Sequence, residues 1–227
     1  MIDPVFMEIQ VIAFAHNGHK DKFGIPRQSR DSSTIETHIR FVKPYSDKNC
    51  FRGLEAYSHL WLIWGFSEAK SWSPTVRPPR LGGNTRVGVF ATRSPFRPNH
   101  LGLSSVRLIR IDPVVVDGES TVELVVSGAD LLDGTPIYDI KPYLAYSDSH
   151  SDAECSFADA MKDYRLAVIW QTTAPAKERE ALEEILSQDP RPAYQDDPER
   201  VYTLDYGRVK VHFRVDGSTL YVQSVAE

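Results

Sequence analysis

The sequence lacks the short motifs that mark the commonest nucleotide-binding and hydrolytic enzymes. No two glycines are separated by a single residue, so the Gly-x-Gly fingerprint of dinucleotide-binding folds is absent, as is the Gly-Lys-Ser/Thr of a nucleoside-triphosphate loop. No Gly-x-Ser-x-Gly elbow supports serine hydrolysis. The seven histidines include no pair with the spacing of zinc ligands on a helix, and we therefore predict no metal site.

Cysteines and long apolar runs are also scarce. The two cysteines, Cys50 and Cys155, are far apart in the chain and match no metal-ligand spacing, so we interpret them as incidental thiols. No run of about 18 apolar residues is present, and we expect no membrane-spanning segment. The first residues, Met-Ile-Asp-Pro, have neither the basic start nor the apolar stretch of a signal peptide, so we expect a cytoplasmic protein.

Acidic residues are missing from residues 69–111. This stretch contains eight cationic residues: Lys70, Arg77, Arg80, Arg86, Arg93, Arg97, Arg107 and Arg110. From residue 147 to the end, by contrast, 16 acidic residues outnumber 9 lysines and arginines. We assign Arg107 and Arg110 to a solvated strand face. The other six cations lie among prolines and glycines, which indicates an electropositive site on a protein of formal net charge −5.

The hydrophobic pattern predicts a mainly β fold. Short alternating or continuous apolar segments, bounded by glycine and proline, predict strands at residues 8–15, 34–42, 59–66, 86–91, 103–116, 121–127 and 137–140. The Asp117-Gly118 dipeptide is typical of a hairpin turn. Because adjacent antiparallel strands without helical crossovers leave exposed edges, we expect residues 1–146 to close into a β-barrel.

A different pattern follows residue 146. Residues 165–172 resemble a strand, and residues 175–188 a helix that ends before Asp189-Pro190. Residues 209–215 and 220–225 predict a hairpin across Asp216-Gly217-Ser218. We therefore predict that residues 147–227 form a small α+β C-terminal domain.

Five segments combine Gly or Pro with Arg, Asn, Asp or Thr: residues 26–28, 52–55, 77–84, 88–99 and 130–136. Proline fixes φ and glycine admits positive φ, so such loops can hold one shape without an apolar core beneath them. Polar groups held in this way suit a preorganised site for a small molecule or a phosphate. Each segment alone is compatible with an ordinary turn, whereas the five together favour a ligand site.

At these segments the chain resembles the TsaA-like family, the TrmO tRNA methyltransferases, which N6-methylate threonylcarbamoyladenosine beside the anticodon. The strings that carry the resemblance are Arg-Pro-Pro-Arg-Leu-Gly-Gly-Asn at residues 77–84, Val-Phe-Ala-Thr-Arg-Ser-Pro-Phe-Arg-Pro-Asn at residues 89–99 and Asp-Ile-Lys-Pro-Tyr-Leu at residues 139–144. The similarity covers residues 9–143, and it resumes at residues 188–194 and near Tyr206-Gly207. It implies a β-barrel, S-adenosylmethionine as methyl donor, tRNA as substrate, and a homodimer with sites near the subunit boundary.

The resemblance also implies where the ligands bind. Cofactor contacts are expected at Pro26, Arg27, Gln28, Ser67, Glu68, Arg93, Leu103, Asp130, Leu131, Leu132, Asp133 and Gly134. Arg27 or Arg93 could hold the carboxylate of the donor through two hydrogen bonds, while Gln28 and an aspartate could bind its adenine and ribose. We predict contacts with tRNA phosphates or bases at Arg77, Arg80, Arg97, Lys141, Arg191 and Tyr194.

Methyl transfer is an in-line displacement that depends mainly on proximity and alignment. The acceptor nitrogen belongs to a urea-like group and is a poor nucleophile, so a side chain that accepts its proton would assist. Asp133, Asp139 and Tyr143 are the candidates, and the sequence does not rank them. Three alternatives stay open: a non-catalytic RNA-binding barrel, a hydrolase or lyase that uses Asp133 and Asp139 as acid and base, and a member of the same fold that methylates another acceptor.

Overall fold

The computed structural model describes residues 7–21, 24–26, 29, 33–78, 85–116, 118–161, 163–191, 195 and 197–226. The strands of these residues are β1 (Ala13–His16), β2 (Glu36–Phe41), β3 (His59–Gly65), β4 (Thr75–Val76), β5 (Val87–Gly88), β6 (Leu101–Val116), β7 (Glu119–Ser127), β8 (Pro136–Pro142), β9 (Ala167–Trp170), β10 (Tyr202–Tyr206), β11 (Val209–Asp216) and β12 (Thr219–Ala226). The α-helices are α1 (Ala145–Asp148) and α2 (Arg179–Ser187), and 3-10 helices form at Lys48–Phe51, Leu54–Ala56, Val89–Ala91 and Ser156–Met161. The prediction of a mainly β fold is confirmed.

Six antiparallel strands pair in a ring in the order β1-β2-β7-β6-β3-β8. The ring closes where Ala13 and Phe14 of β1 pair with Ile137 and Pro136 of β8. Side chains alternate between its two faces, so that Leu60, Leu62 and Trp64 of β3 are buried while the residues between them are half-buried. The buried side chains of the ring form one apolar cluster, which fills its interior.

A second sheet, in the order β10-β11-β12-β9, forms the C-terminal part of the chain. Helix α2 packs against it through Leu182, Ile185 and Leu186, which are at most 3% exposed and belong to a second apolar cluster. This is an α+β arrangement. Ile35, which precedes β2, is also part of the second cluster. The two halves of the chain therefore share a core residue, and the proposed boundary at residue 146 stays a prediction.

Several elements differ in extent from the sequence-based predictions. The strand predicted at residues 8–15 is reduced to β1, and the helix predicted from residue 175 begins at Arg179. The strand predicted at residues 86–91 is wrong over its second half, because only Val87–Gly88 is extended and Val89–Ala91 forms a 3-10 helix. In the part of the chain that the structure describes, no helix combines the length and the apolar character needed to cross a membrane.

Three long connections lie at the same end of the ring, which we call the loop end. The strands β1, β3 and β7 finish there and β2, β6 and β8 begin there, as the pairs Gly65–Leu101, Glu36–Ser127 and Phe14–Pro136 show. The connections are residues 17–35, 66–100 and 128–135. They contain four of the five polar segments of the sequence, and the fifth, residues 52–55, connects β2 to β3 at the opposite end.

Candidate functional site

The carboxyl group of Asp130 lies at the loop end, just beyond β7. Ser104 Oγ donates a hydrogen bond of 2.5 Å to Asp130 Oδ1, and Trp64 Nε1 donates one of 2.9 Å to Ser104 Oγ. Ser104 points into the ring from β6 and is 1% exposed. A hydroxyl buried there needs partners, and it has one acceptor and one donor. This chain of hydrogen bonds fixes the carboxylate against the wall of the ring.

Groups from all three connections act on Asp130. Burial raises the pKa of its carboxyl group above the ordinary value, while the Ser104 hydroxyl, the backbone N–H groups of Asp130 and Ser29, and the positive charge of Arg93 act in the opposite direction. Ser29 belongs to the first connection and Arg93 to the second. The fold therefore brings a largely buried carboxylate and an exposed guanidinium near one another, a combination suited to a small ligand that carries both hydroxyl or amino groups and an acid.

A second carboxylate, Asp133, forms a separate polar cluster. Lys20 Nζ lies 2.5 Å from Asp133 Oδ2, the Asn17 N–H donates a bond of 3.1 Å to Oδ1, and His16 Nδ1 lies 3.8 Å from Oδ1. Partial burial by itself would raise the pKa of the Asp133 carboxyl, but the bonds from Lys20 and Asn17 outweigh it and lower that pKa. A carboxylate that is stabilised in its ionised form is a weak proton acceptor, which favours a structural role for Asp133 in shaping the loop.

The other described residues of the predicted cofactor segment at 130–134 have clear structural roles. Leu131 is fully buried in the apolar cluster of the ring, and its carbonyl accepts a bond of 3.0 Å from Asn17 Nδ2. Leu132 is half-buried, and its carbonyl accepts a bond from Thr135. Gly134 has a φ of +80°, which favours glycine at this turn. Its N–H donates a hydrogen bond of 2.8 Å to the carbonyl of Ala15.

The remaining cofactor candidates are spread along the loop end. Pro26 is buried, whereas Ser67 and Glu68 are exposed in the turn that follows β3. Leu103 is 55% exposed on the outward face of β6. Arg27 and Gln28 lie outside the described residues.

The three candidate proton acceptors do not share a site within one chain. Asp139 lies opposite Ile63 on the outward face of β8, and its Oδ2 is 2.8 Å from Lys141 Nζ. Tyr143 follows the far end of β8, where its ring centroid is 5.4 Å from that of Trp61. At about 3.3 Å per residue, the seven steps from residue 136 to residue 143 place Tyr143 roughly 23 Å from the loop end.

The predicted tRNA contacts fall into two classes. Arg77 and Lys141 are exposed, although Lys141 is paired with Asp139, which raises the pKa of its ammonium group. Arg97 is instead half-buried, and its Nη1 donates bonds of 2.6 and 3.4 Å to the carbonyls of Thr92 and Val89. Arg97 thus stabilises the loop that follows β5.

Arg191 is also held inside the protein. Its Nε lies 2.8 Å from Asp189 Oδ1, and the two side chains are only 10% and 12% exposed. Tyr164 donates a further bond of 3.1 Å to Asp189. This geometry favours a structural role for Arg191 over the predicted contact with a phosphate. Arg80 and Tyr194 lie outside the described residues.

Sequence reasoning missed several polar residues of the loop end: Asn17, Lys20, Ser29, Trp64 and Ser104. Ser104 had a detectable signal, since it is a polar residue at an inward position of an alternating strand. The others depend on contacts between distant segments, such as the one between Lys20 and Asp133, which are 113 positions apart. Among the described residues, no group of three or more His, Cys, Asp or Glu side chains is arranged to hold a metal ion.

Comparison with known proteins gives a consistent result over the whole chain. Residues 14–149 match the family described as the tRNA-methyltransferase O N-terminal domain, and residues 157–227 match the TrmO C-terminal domain. The chain is 39% identical over 223 residues to the tRNA (adenine(37)-N6)-methyltransferase of Escherichia coli K12, covering 92% of this chain and 93% of that protein.

A curated relative and a solved structure, both from Pseudomonas aeruginosa, are similar as well. One is named as a putative S-adenosylmethionine-dependent methyltransferase, RcsF, and is 38% identical over 219 residues, covering 90% of this chain and 91% of that protein. The other is a crystal structure of TrmO, which is 31% identical and has a TM-score of 0.76, covering 98% of this chain and all of that one. The similarity therefore extends over both sheets.

Proposed function

The chain belongs to the tRNA-methyltransferase O family, and on that basis we propose that it transfers the methyl group of S-adenosylmethionine to N6 of adenosine 37 in tRNA, where this base carries a threonylcarbamoyl group. The names of the relatives given above support adenine 37 of tRNA as the acceptor and S-adenosylmethionine as the methyl donor. The threonylcarbamoyl group is the finer part of the proposal, and it follows from the family resemblance of the sequence. We expect the reaction to take place in the cytoplasm.

The observation that carries the proposal is the convergence of three connections on Asp130. A carboxylate that is fixed by Ser104 and Ser29 can accept hydrogen bonds from the hydroxyl or amino groups of a nucleoside. The guanidinium of Arg93 is close enough to act on Asp130 electrostatically, and in the same region it can bind the carboxylate of the methionine moiety. Negative charge at the loop end is also compatible with the positive sulfonium of the donor.

The chemical step is a displacement at the donor methyl group. The bond from N6 to the methyl carbon forms as the bond from that carbon to sulfur breaks, and the N6 proton passes to a base. The demethylated donor leaves as a neutral thioether. A urea-like N–H is more acidic than an amine, so alignment of the two substrates can supply most of the acceleration.

The exposed apolar surface supports a homodimer. Leu101 and Leu103 on the outward face of β6 are 36% and 55% exposed, and Phe90 in the neighbouring connection is 77% exposed. A second copy placed on this face would cover them. Light scattering should give about twice the monomer mass of 25.7 kDa, and the monomer mass at micromolar concentration would contradict the dimer.

Mass spectrometry of tRNA nucleosides tests the activity. In cells without this protein, the modified adenosine beside the anticodon should lack one methyl group, and purified protein with S-adenosylmethionine should restore it. A tRNA without the threonylcarbamoyl group serves as the matched control and should not be methylated. Methylation of both tRNAs would point to another acceptor. Tight RNA binding without donor binding would favour the non-catalytic barrel, and turnover without the donor would favour a hydrolase or lyase.

A further inference from the structure

The described part of the first connection, residues 17–21, 24–26, 29 and 33–35, contacts the C-terminal sheet and its helix, although the connection belongs to the loop end of the ring. Tyr206, the last residue of β10, forms an isolated β-bridge with His19, and the centroids of their rings are 5.5 Å apart at 64°. The N–H of Gly207 donates a bond of 2.8 Å to the carbonyl of Gly18. The end of β10 and the start of the connection are therefore joined by backbone and by ring contacts.

Two glycines of the connection are needed for this close approach. A Cβ atom on Gly18 would lie 2.6 Å from atoms of the Tyr206 ring, and one on Gly24 would lie 2.7 Å from Leu204 Cδ1. Distances this short exclude any side chain unless a neighbour moves. Near the end of the connection, the N–H of Thr34 donates a bond of 3.1 Å to Glu184 of α2. The C-terminal half of the chain thus supports the connection at its start, middle and end.

The same connection bonds to the loop that carries Asp130 and Asp133. Asn17 donates from its backbone to Asp133 and from its side chain to the carbonyl of Leu131, and the N–H of Asp133 donates a bond of 3.0 Å to the carbonyl of His19. Further along, the N–H of Ser29 acts on the Asp130 carboxylate. The C-terminal sheet and α2 therefore hold the connection on one side. On the other side, its hydrogen bonds hold the loop that contains Asp130 and Asp133, which we take as the candidate donor site.

We propose that Tyr206 is a positioning residue for binding of the methyl donor, and that it acts by holding Gly18 and His19 in the conformation from which the connection shapes the Asp130–Asp133 loop. The proposal rests on the proposed function, since it takes the loop end to be the donor site. It gives the C-terminal sheet a part in donor binding through a residue far in sequence from the predicted cofactor segments.

Calorimetric titration of the full-length protein with S-adenosylmethionine tests this. Tyr206→Ala should raise the Kd for the donor about 10-fold and raise its KM similarly, with the KM for tRNA unchanged. Tyr206→Phe, which keeps the ring, should restore donor binding. Gly18→Ala, which introduces a methyl group against the same ring, should reproduce the defect from the opposite side of the contact. Tyr221→Ala is the matched control, because Tyr221 is a half-buried tyrosine of the same sheet whose ring contacts Arg214.

The outcomes separate the two proposals. If the wild type binds the donor and Tyr206→Ala binds it equally well, the positioning role is wrong. An equal loss in Tyr206→Ala and Tyr221→Ala would also overturn it, since that result indicates only general destabilisation. If Tyr206→Ala does not fold, Gly18→Ala decides. If the wild type binds no donor, the proposed function fails. In that case, amide hydrogen exchange tests whether Tyr206 holds the start of the connection in place. Unchanged protection of Asn17 and His19 in Tyr206→Ala would refute this role.

Discussion

Ser104 donates a hydrogen bond to Asp130, and this bond ties the inner wall of the ring to the loop at its end. We expect Ser104→Ala to weaken donor binding by about 10- to 100-fold, because a hydrogen bond to a charged group is worth about 1.5–3 kcal/mol. The bond stabilises the ionised carboxylate, so its loss should raise the pKa of Asp130 beyond the increase that burial already causes. Binding that needs the carboxylate should then fail at a higher pH than in the wild type.

Calorimetry at a series of pH values measures both effects. Ser105→Ala is the control, since Ser105 is the next residue of β6 and pairs with Trp61 on the other face of the strand. If Ser104→Ala folds and retains both the affinity and the pH profile of the wild type, Asp130 does not bind the donor.

Substitution of Arg93 should affect donor binding, and substitution of Arg77 should affect tRNA binding. Both residues are exposed, and the positive charge of Arg93 acts on Asp130 to lower the pKa of its carboxyl group. Arg93→Ala should weaken donor binding about 10- to 100-fold and leave tRNA affinity nearly intact. Arg77→Ala should do the reverse, and it should lower the slope of log affinity against log salt by about one unit. Equal effects of both variants on both ligands, at unchanged melting temperature, would contradict this division.

Arg191→Ala should lower the free energy of unfolding by about 3 kcal/mol, because it leaves the nearly buried Asp189 carboxylate without this partner. Arg179→Ala removes a comparable pair with Glu183, but those side chains are 58% and 44% exposed. We expect a change of less than about 0.5 kcal/mol there. Urea unfolding measures both. If the Arg191→Ala variant is as stable as the wild type but binds tRNA more weakly, the result would support the phosphate contact that the sequence predicts.

The sequence predicted the strands well where side chains alternate between an apolar core and solvent, as in β3, β6 and β11. It failed where a local contact overrides that pattern. Residues 89–91 are apolar enough for a strand, but the carbonyl of Val89 accepts bonds from Thr92 and Arg97 that close a turn. β10 was missed because it is short: only its first three residues alternate clearly between buried and exposed, and the last two are half-buried.

The site was predictable to a similar degree. Asp130 and Arg93 belong to two of the loops rich in proline and glycine, and the family resemblance is what predicts them as donor contacts. The antiparallel order of the ring explains why those two loops lie at the same end. Ser29, by contrast, acts on Asp130 across about 100 positions of sequence, a contact that only the folded chain defines. The predicted contact of Arg191 with tRNA stays a prediction, and the pair that this side chain forms with Asp189, only two residues away, favours a structural role instead.

Acid should destabilise the protein through His19. This side chain is fully buried, and burial lowers its pKa to about 4, against the opposing effects of the Gly24 backbone and the Asp21 charge. As the pH falls below 6.5, the unfolded chain therefore binds a proton that the folded chain does not. The free energy of unfolding should decrease between pH 6.5 and 4, by about 3 kcal/mol at the lower limit, since one pKa unit corresponds to about 1.4 kcal/mol.

The interval from pH 6.5 to 5 separates this effect from the carboxyl groups whose pKa is lowered, whereas Asp130, whose pKa burial raises, contributes with the opposite sign. Glu123 and Asp133 have lowered pKa values, so their contributions are lost only in more acidic solution. Burial also lowers the pKa of His16, which contributes with the same sign, and the comparison must therefore be made between variants. Urea unfolding of His19→Gln should show a shallower dependence on pH than the wild type, whereas His150→Gln, at an exposed position, should leave the slope unchanged. Identical slopes in the wild type and His19→Gln would mean that the His19 imidazole is already solvated or protonated in the folded protein, and that the contact with Tyr206 is looser than the structure shows.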